Sequence, residues 1–290
     1  MNQSAITRAH WIIENFTDAE DYRDLIKEIK QSGRRCFVID KNNHFDFDPS
    51  SFVEQECVVV QGSIQMAKHI ASKLPPGCYP VAYNSWDKFL CSAWYPRLKG
   101  HLFNDQYTFA AFGELKKNAS NFYEKFGRES VIFVRPDSGE KSFAGQLVES
   151  ERLDTFSTNH IANNAADDDL IVVSTPKQIK GEWRFLCSKY HGGEIIASSS
   201  YRSHGRRAHT ADVPAGASER CRAVLDEGLF PDSVFCVDVC EDADGNYWLL
   251  ELTSFSSAGL YAMDKRKVAQ RVSEIAETEY QIKFGRQVHP

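Results

Sequence analysis

The sequence predicts an α+β protein in which a small α/β lobe, residues 1–115, precedes a larger α+β region, residues 116–290. Two observations support this prediction. In the first lobe, short apolar runs alternate with amphipathic stretches, which is the order expected of strands joined by helices. In the second region, apolar runs rich in strand-forming residues follow one another at short intervals, which is typical of antiparallel pairs.

The first lobe opens with a predicted helix from Thr17 to Gly33. Thr17 and Glu20 have the spacing of a capping box, and Gly33 is suited to end the helix. The further elements predicted in this lobe are strands at 36–40 and 57–60, a helix at 64–74 and a strand at 81–83. The aromatic-rich stretch Trp86–Tyr95 is too mixed to assign.

A helix over Tyr107–Phe126 is predicted to cross from the first lobe to the second region, because its apolar residues recur with helical spacing. Strands dominate after it, with short connections that favour hairpins. The predicted strands are 131–134, 145–148, 170–173, 183–187, 195–199, 234–239 and 247–252. The predicted helices are 153–159, 217–228 and 264–279.

The composition disfavours several classes of protein, nucleic-acid binders among them. Lys and Arg number 34 against 40 Asp and Glu, so the formal net charge is -6, whereas a protein that binds nucleic acid through its phosphates usually has a basic excess. The eight cysteines form no CxxC pair, which favours free thiols over a zinc or redox motif. The chain starts without a signal-peptide pattern, and no apolar run is long enough for a membrane span, so we expect a reduced, cytoplasmic protein.

The most informative segment is Val234–Tyr261, which predicts a hairpin turning at Asp242–Gly245. Asp238 and Glu251 interrupt its apolar strands, and a carboxylate on a half-buried strand is costly unless something neutralises it. With the turn centred between residues 243 and 244, Asp238 is expected opposite Leu249, and Glu251 diagonal to it on the same face. A divalent cation between the acids, exposure to solvent, and structural pairing with arginines all remain open.

Two other segments carry charge beside strands. In VIFVRPDSGEKSFAGQLV, a strand delivers Arg135, and a loop of small residues with Lys141 is suited to lie over phosphates, the alternative being an ordinary exposed turn. In LIVVSTPKQIKGEWRFL, Glu182 and Arg184 share one face of a strand, and an amphipathic strand with a cross-strand ion pair is the alternative.

In this order the three segments resemble the ATP-grasp superfamily over roughly residues 131–261. Asp238 and Glu251 have the spacing of its metal-binding acids, and DADGNYWLLEL looks like the metal hairpin of carboxylate ligases such as the D-alanine ligases. RPDSGEKSFAG, EWRFL and ELTSFSSAGLY, with QGSIQMA and SAWYPRL upstream, are similar to the R-two-K clade of this superfamily. The sequence departs from the superfamily pattern at three positions. Arg135 stands where many relatives have a lysine, and Thr253 stands where the pattern has a metal-binding asparagine. Cys236 stands where the D-alanine ligases have an arginine.

The resemblance implies an ATP-grasp fold preceded by a pre-ATP-grasp-like lobe, and a site that binds ATP with Mg²⁺ or Mn²⁺. The implied nucleotide contacts are Arg135 and Lys141 to phosphates, Val172, Val173 and Ser174 to adenine through their backbone, and Glu182 to the ribose. The implied catalytic residues are Arg184 and Lys141, and the implied metal ligands are Asp238, Glu251 and Thr253. The implied substrate-loop residues are Ser257 and Gly259.

The resemblance implies a ligase that activates a carboxylate as an acyl phosphate and joins it to an amine, with ADP and phosphate as products. The two substrates would be a small-molecule, amino-acid or peptide carboxylate and an amine acceptor. From the residues themselves, the basic segment YRSHGRRAH predicts that Arg202, Arg206 and Arg207 hold an anionic substrate group, an exposed loop being the alternative. A nucleotide-binding module without catalysis, or a small-molecule kinase, is the alternative function.

Overall fold

The computed structural model describes residues 8–15, 20–40, 47–139, 142–158, 165–203 and 206–285. The first lobe is a four-stranded parallel sheet with strand order β2-β1-β3-β4. Its elements are β1 (His10–Asn15), α1 (Glu20–Gln31), β2 (Cys36–Asp40), β3 (Cys57–Gln61), α2 (Ile64–Lys73) and β4 (Tyr79–Val81). The α/β alternation predicted from the sequence is confirmed.

Local signals explain the helix ends in this lobe. Gly33, just after α1, has φ of 74°, a conformation that glycine adopts without strain. Ser63 precedes α2 and accepts a hydrogen bond from the Met66 N–H at 3.2 Å, so it acts as an N-cap. Thr17 of the predicted capping box lies outside the described residues.

The unassigned aromatic stretch forms short helical turns. A 3₁₀ turn at Trp86–Phe89 leads into α3 (Cys91–Trp94), and a second 3₁₀ turn at Lys99–His101 follows. Immediately after these turns, Leu102 forms a β-bridge with Leu249 of the second region. The Phe103 N–H donates a hydrogen bond to the Leu249 carbonyl at 2.8 Å. This segment therefore connects the two halves of the molecule.

The second sheet is antiparallel, with strand order β5-β8-β6-β7. Its elements and their helices are β5 (Tyr107–Ala111), α4 (Phe112–Lys117), α5 (Ala119–Phe126), β6 (Val131–Pro136), β7 (Gln146–Glu149), α6 (Leu153–Thr158) and β8 (Leu170–Ser174). The prediction of a helix over Tyr107–Phe126 is therefore wrong for its first five residues, which pair with β8 as an edge strand. Residues 112–126 are helical, with a break at Asn118.

The third sheet is also antiparallel, with order β11-β10-β9-β12-β13. Its elements are β9 (Ile179–Ser188), β10 (Glu194–Ser203), β11 (Arg206–Arg207), α7 (Ala215–Asp226), β12 (Val234–Asp242), β13 (Tyr247–Ser254) and α8 (Lys265–Phe284). The two faces of this sheet belong to different cores. One face packs with α7 around Phe185, Phe235 and Val237, and the other packs through Leu186 and Cys236 with α8 and the first lobe.

The C-terminal helix completes the core of the first lobe. Val268, Val272 and Ile275 of α8 belong to the same buried cluster as Trp11 and Ile13 of β1. Within the described ranges, no helix has an apolar stretch long enough to cross a bilayer. The predicted boundary after residue 115 stays a prediction, and β5, which precedes it, belongs to the second sheet.

The first lobe is also attached to the segment that follows β13. The Gly62 N–H donates to the Ser256 carbonyl at 2.8 Å, and the Gln61 Nε2 donates to the Ala258 carbonyl at 2.7 Å. In the reverse direction, the Ser254 hydroxyl donates to the Tyr83 carbonyl at 2.7 Å. The QGS motif of the sequence therefore joins the first lobe to the small-residue loop that contains Ser257 and Gly259.

Candidate active site

A row of charged side chains crosses three neighbouring strands of the third sheet. Arg184 of β9 is the register partner of Asp238 of β12, and Asp238 is in turn the partner of Glu251 of β13. Paired residues of an antiparallel sheet project from the same face, so the three side chains lie side by side. The fold thus brings together Arg184, the implied catalytic residue, with Asp238 and Glu251, the implied metal ligands, which lie in two separate sequence segments.

The Arg184–Asp238 pair is buried and bidentate. The Arg184 Nε and Nη2 atoms donate to Asp238 Oδ1 and Oδ2 at 2.8 and 2.7 Å, and the side chains are 8% and 0% exposed. Burial opposes the charge on Arg184, but Asp238 outweighs it and holds the pKa of the guanidinium well above its ordinary value. A third bond, from Nη1 to the Gly259 carbonyl at 3.3 Å, ties Arg184 to the small-residue loop.

Arg135 brings the second sheet to this row. Its Nη2 donates to Glu251 Oε1 at 2.6 Å, and the two side chains are 12% and 14% exposed. Burial opposes the charge on Arg135, but the Cys91 thiol and the Glu251 carboxylate beside it raise the pKa of Arg135 well above its ordinary value. The pairing of both acids with arginines, which the sequence left open as an alternative, is therefore present in this structure.

The predicted register of the hairpin is wrong by two residues, since Asp238 lies opposite Glu251 and not opposite Leu249. Two features account for the difference. The turn has Gly245 at φ of 86°, with the Gly245 N–H donating to the Asp242 carbonyl, and this shifts the pairing at the turn. A bulge at Leu250 then adds one residue to β13 between the partners of Asp238 and Val239.

The carboxylate oxygens of Asp238 and Glu251, with the hydroxyl oxygen of Thr253, are ligands of the kind that suit a hard divalent cation. Two carboxylates directly opposite one another repel unless positive charge lies close by, and oxygen ligands are those that Mg²⁺ and Mn²⁺ prefer. The Thr253 Oγ1, two residues from Glu251 on the same strand face, is buried and has no hydrogen-bond partner within the described part of the chain. The donor set therefore fits a metal, although the described residues contain no group of three or more His, Cys, Asp or Glu side chains that could hold one.

Glu182 lies one step along the same face of β9. Its carboxylate accepts a hydrogen bond from the Tyr201 hydroxyl and lies 3.7 Å from Arg202 Nη1. Burial raises the pKa of Glu182 above its ordinary value, and Tyr201 and Arg202 offset part of the effect. The structure places Glu182 beside the Arg184–Asp238 pair; its contact with a ribose stays a prediction.

The face of the second sheet that carries Arg135 is directed toward the third sheet. Val172 and Ser174 share this face, whereas Val173 belongs to the core beneath α4 and α5. Because β8 is paired on both sides, most of the backbone groups of these three residues are already used within the sheet. The Ser174 Oγ is buried without a hydrogen-bond partner in the described ranges, so a side chain is available where backbone contacts were predicted.

The other predicted site residues, Lys141 and the three arginines of the basic segment, do not belong to the row of charges on the third sheet. Lys141 lies outside the described residues, so its predicted contact with phosphate stays a prediction. Arg202 and Arg207 are direct register partners in the hairpin of β10 and β11, with Arg206 next to them, and all three are exposed. Like charges directly opposite one another repel, and the Glu182 carboxylate near Arg202 offsets part of this repulsion, so the contact of the three arginines with a substrate stays a prediction.

Two features of the site were missed in the sequence. Asp137, at the end of β6, accepts hydrogen bonds from the Ser92 N–H and hydroxyl at 2.6 and 2.8 Å, so it fixes the SAWYPRL segment beside Arg135. The rings of Tyr201 and Tyr261 stack at 5.2 Å and 12°, and their centroids lie 5.3 and 5.4 Å from the Arg184 Cζ. Tyr201 begins the basic segment and Tyr261 ends ELTSFSSAGLY, but nothing in either segment indicates that the two rings stack, so only the fold brings them to Arg184.

Comparison with known proteins agrees with this architecture. The family model described as ATP-grasp domain, R-two-K clade family 2, matches residues 113–271. Among curated protein sequences no match to the chain is found.

Three solved structures illustrate the similarity of fold. The D-cycloserine synthetase DcsG is 16% identical, with a TM-score of 0.60, over 92% of this chain and 99% of its own. The D-alanyl-alanine synthetase A of Vibrio cholerae O1 is 13% identical, with a TM-score of 0.60, over 96% and 99%. A RimK domain ATP-grasp protein of Sphaerobacter thermophilus is 14% identical, with a TM-score of 0.57, over 94% and 98%. The fold is an ATP-grasp fold, and because the family match spans more than half of the sequence, this chain belongs to family 2 of the R-two-K clade of ATP-grasp domain proteins.

Proposed function

We propose that the protein is an ATP- and magnesium-dependent ligase that joins a carboxylate to an amine. The observation that carries the proposal is the row Arg184, Asp238, Glu251, Arg135, in which three charged side chains of the third sheet meet an arginine of the second sheet. Two acids side by side, with an arginine at each end of the row, offer fixed charges of both signs, which are suited to a polyphosphate with its counter-ion.

In the proposed reaction a carboxylate oxygen attacks the γ-phosphorus of ATP, and the bond from that phosphorus to the bridging oxygen of ADP breaks. The amine then attacks the carbonyl carbon of the acyl phosphate, phosphate leaves, and the amine loses a proton. The products are an amide, ADP and phosphate. Such chemistry depends on positioning and charge stabilisation and needs no protein nucleophile.

Each residue of the row has a proposed role in this reaction. Arg184, held by Asp238 and by the Gly259 carbonyl, would stabilise negative charge on the transferring phosphoryl group. Arg135 would contact the phosphates from the opposite sheet, and Lys141 would add a second cation there. Asp238, Glu251 and Thr253 would hold Mg²⁺ or Mn²⁺, which supplies positive charge to the phosphates when bound.

A second observation supports a nucleotide between the sheets. On the face that carries Arg135, the side chains of Phe133, Leu147 and Ser174 occupy one row of register partners, and Leu147 is 61% exposed. An exposed apolar side chain at one end of this row, and at the other end a hydroxyl without a partner in the described ranges, suit a flat base that has polar edges. We propose that the base lies here, with Glu182 near the ribose.

The neighbouring structures are consistent with this activity. They include the D-cycloserine and D-alanyl-alanine synthetases and the ATP-grasp ligase PsnB, whose structure was determined with a minimal precursor, Mg and ADP. The identities of these neighbours are low, so they support the reaction type and leave the substrates of this chain to experiment.

The test is a calorimetric titration with AMPPNP, with and without Mg²⁺, comparing the native protein with Glu251→Gln. The matched control is Glu149→Gln, which also removes a glutamate paired with an arginine, Arg152, but at an exposed site. We expect Mg²⁺-dependent binding that Glu251→Gln weakens at least about tenfold, worth about 1.4 kcal/mol, and that Glu149→Gln leaves unchanged. Equal affinity of the native protein and Glu251→Gln for Mg-AMPPNP would refute the metal assignment.

Product analysis separates the proposed ligase from its alternatives. Phosphate released only when a carboxylate and an amine are both present identifies a ligase, whereas a phosphorylated small molecule identifies a kinase. A module without catalysis is favoured by one observation, namely that both acids are already neutralised by arginines. Nucleotide binding without turnover under all substrate combinations would establish that alternative.

A further inference from the structure

The two ion pairs of the charged row are built differently. The Arg184 guanidinium donates two hydrogen bonds to Asp238, on the neighbouring strand of the same sheet, and a third to the Gly259 carbonyl. Within the described part of the chain, the Arg135 guanidinium donates one hydrogen bond, to Glu251 Oε1 at 2.6 Å, and this bond runs from the second sheet to the third. Arg135 can therefore change its partner at the loss of a single hydrogen bond, whereas Arg184 cannot.

Both arginines bind oxygen atoms that a metal would share. The proposed metal ligands are the carboxylates of Asp238 and Glu251, which are register partners, and the Thr253 hydroxyl. Arg184 lies 2.7 and 2.8 Å from the two Asp238 oxygens, and Arg135 lies 2.6 Å from a Glu251 oxygen. A divalent cation bound to these carboxylates would therefore lie next to a guanidinium on either side.

The charges of the row cancel as they stand, because two carboxylates face two guanidinium groups. The four side chains are at most 14% exposed, so water screens an added charge only weakly. A divalent cation alone would leave the row with an uncompensated double positive charge. The triphosphate of ATP brings more negative charge than its metal brings positive charge. The row is therefore matched to metal and polyphosphate together, and not to the metal alone.

Arg135 keeps its charge whichever anion it binds. Burial opposes this charge, but the Cys91 thiol, Glu251 and the Tyr95 hydroxyl beside it hold the pKa of the guanidinium well above its ordinary value. A guanidinium binds carboxylate and phosphate oxygens with the same geometry. A phosphate can therefore replace Glu251 as the partner of Arg135 without leaving the cation uncompensated, and the exchange releases the Glu251 oxygen.

Building on the proposed function, we propose that Arg135 makes metal binding conditional on the nucleotide. While Arg135 is paired with Glu251, its charge opposes the binding of a free divalent cation. When the phosphates of ATP take Arg135 as their partner, Glu251 becomes available to the metal that accompanies them. Arg135 is thus a specificity-determining residue, which distinguishes the metal–nucleotide complex from the free metal.

The test measures the binding of Mn²⁺ without nucleotide, followed by the electron paramagnetic resonance signal of free Mn²⁺. We expect Arg135→Gln to bind Mn²⁺ at least about tenfold more tightly than the native protein, because one positive charge beside Glu251 is removed. Adding Glu251→Gln to this variant should abolish the gain. The matched control is Arg152→Gln, which removes an arginine paired with Glu149 at an exposed site and should leave the Mn²⁺ affinity unchanged.

Calorimetric titration with Mg-AMPPNP gives the second readout. Arg135→Gln should bind Mg-AMPPNP at least about tenfold more weakly than the native protein, since a charge-assisted contact to phosphate is lost. One substitution then moves two affinities in opposite directions, which a general loss of structure cannot do. Arg135→Met removes the same charge, so the test does not depend on the folding of one variant. Arg135→Lys keeps the charge and should bind free Mn²⁺ as weakly as the native protein.

The proposal is overturned if the native protein and Arg135→Gln bind free Mn²⁺ equally, whether both bind it or neither does. A gain in Arg135→Lys as large as the gain in Arg135→Gln would also overturn it, because the argument depends on charge. A failure of the proposed function is recognised separately. Glu251→Gln alone, titrated with Mg-AMPPNP, shows whether Glu251 holds the metal at all, and this result does not depend on Arg135.

Discussion

Removing the charge of Asp238 should strongly destabilise the fold, because it leaves the Arg184 guanidinium buried without its counter-charge. Both Asp238 oxygens bind Arg184, at 2.7 and 2.8 Å, and the carboxylate is fully buried. Opposite charges about 4 Å apart attract by about 4 kcal/mol at an effective dielectric constant of about 20. Breaking a buried ion pair typically costs about 3 to 5 kcal/mol, so we expect Asp238→Asn to lose that much stability.

A double-mutant cycle measured by urea unfolding at about pH 7 tests this expectation. Arg184→Met alone should also lose about 3 to 5 kcal/mol, since it leaves the Asp238 carboxylate buried and unpaired. Replacing both residues, as Arg184→Met with Asp238→Leu, should recover most of the loss because no charge is then left uncompensated. Losses below about 1 kcal/mol in both single variants, or losses that simply add in the double variant, would refute the reasoning.

Three further predictions concern single positions. Thr253→Val should leave the free energy of unfolding unchanged within about 1 kcal/mol, because the buried hydroxyl has no partner within the described residues. The same variant should weaken the binding of Mg-AMPPNP, measured by calorimetric titration. Glu182→Gln should be more stable than the native protein at about pH 7, since burial raises the pKa of this glutamate and its ionisation therefore costs stability. The difference, measured by urea unfolding, should vanish below pH 4.5, the ordinary value for the group; a difference that grows on acidification would contradict the assignment. Gly62→Ala should lower the free energy of unfolding by about 1 to 3 kcal/mol, because the added Cβ would lie 2.6 Å from the Glu14 Cβ and 2.4 Å from the Met66 Cε. An unchanged melting temperature would show that the contact between the first lobe and the segment after β13 can relax to accept the methyl group.

The elements with local signals were predictable from the sequence. The strand Cys57–Gln61 is apolar over its first four residues, and Ser63 and Gly33 mark helix ends by their own chemistry. The Tyr107–Ala111 strand was missed because its aromatic residues also fit a helical period, and only its pairing with β8 decides between the two. Pairing between segments so far apart in the chain has no local signature.

The candidate site shows the same division. Spacing along the hairpin identified Asp238 and Glu251, but their register depends on a bulge at Leu250 that local pattern does not reveal. The contact between Arg135 and Glu251 joins residues 116 positions apart, on different sheets. Sequence patterns therefore identified which residues carry charge on buried strands, whereas the partners of those charges follow from the packing of two sheets.

The packing of α8 against the first lobe has a consequence for synthesis. The Trp11 Nε1 donates to the Ser273 hydroxyl at 2.9 Å, a contact between residues 262 positions apart. The core of the first lobe cannot close on the ribosome until α8 has emerged, although its sheet is made from the first part of the chain. Nascent chains stalled before Lys265 should therefore expose the apolar surface around Trp11 and be recognised by chaperones, whereas a fully synthesised chain should not.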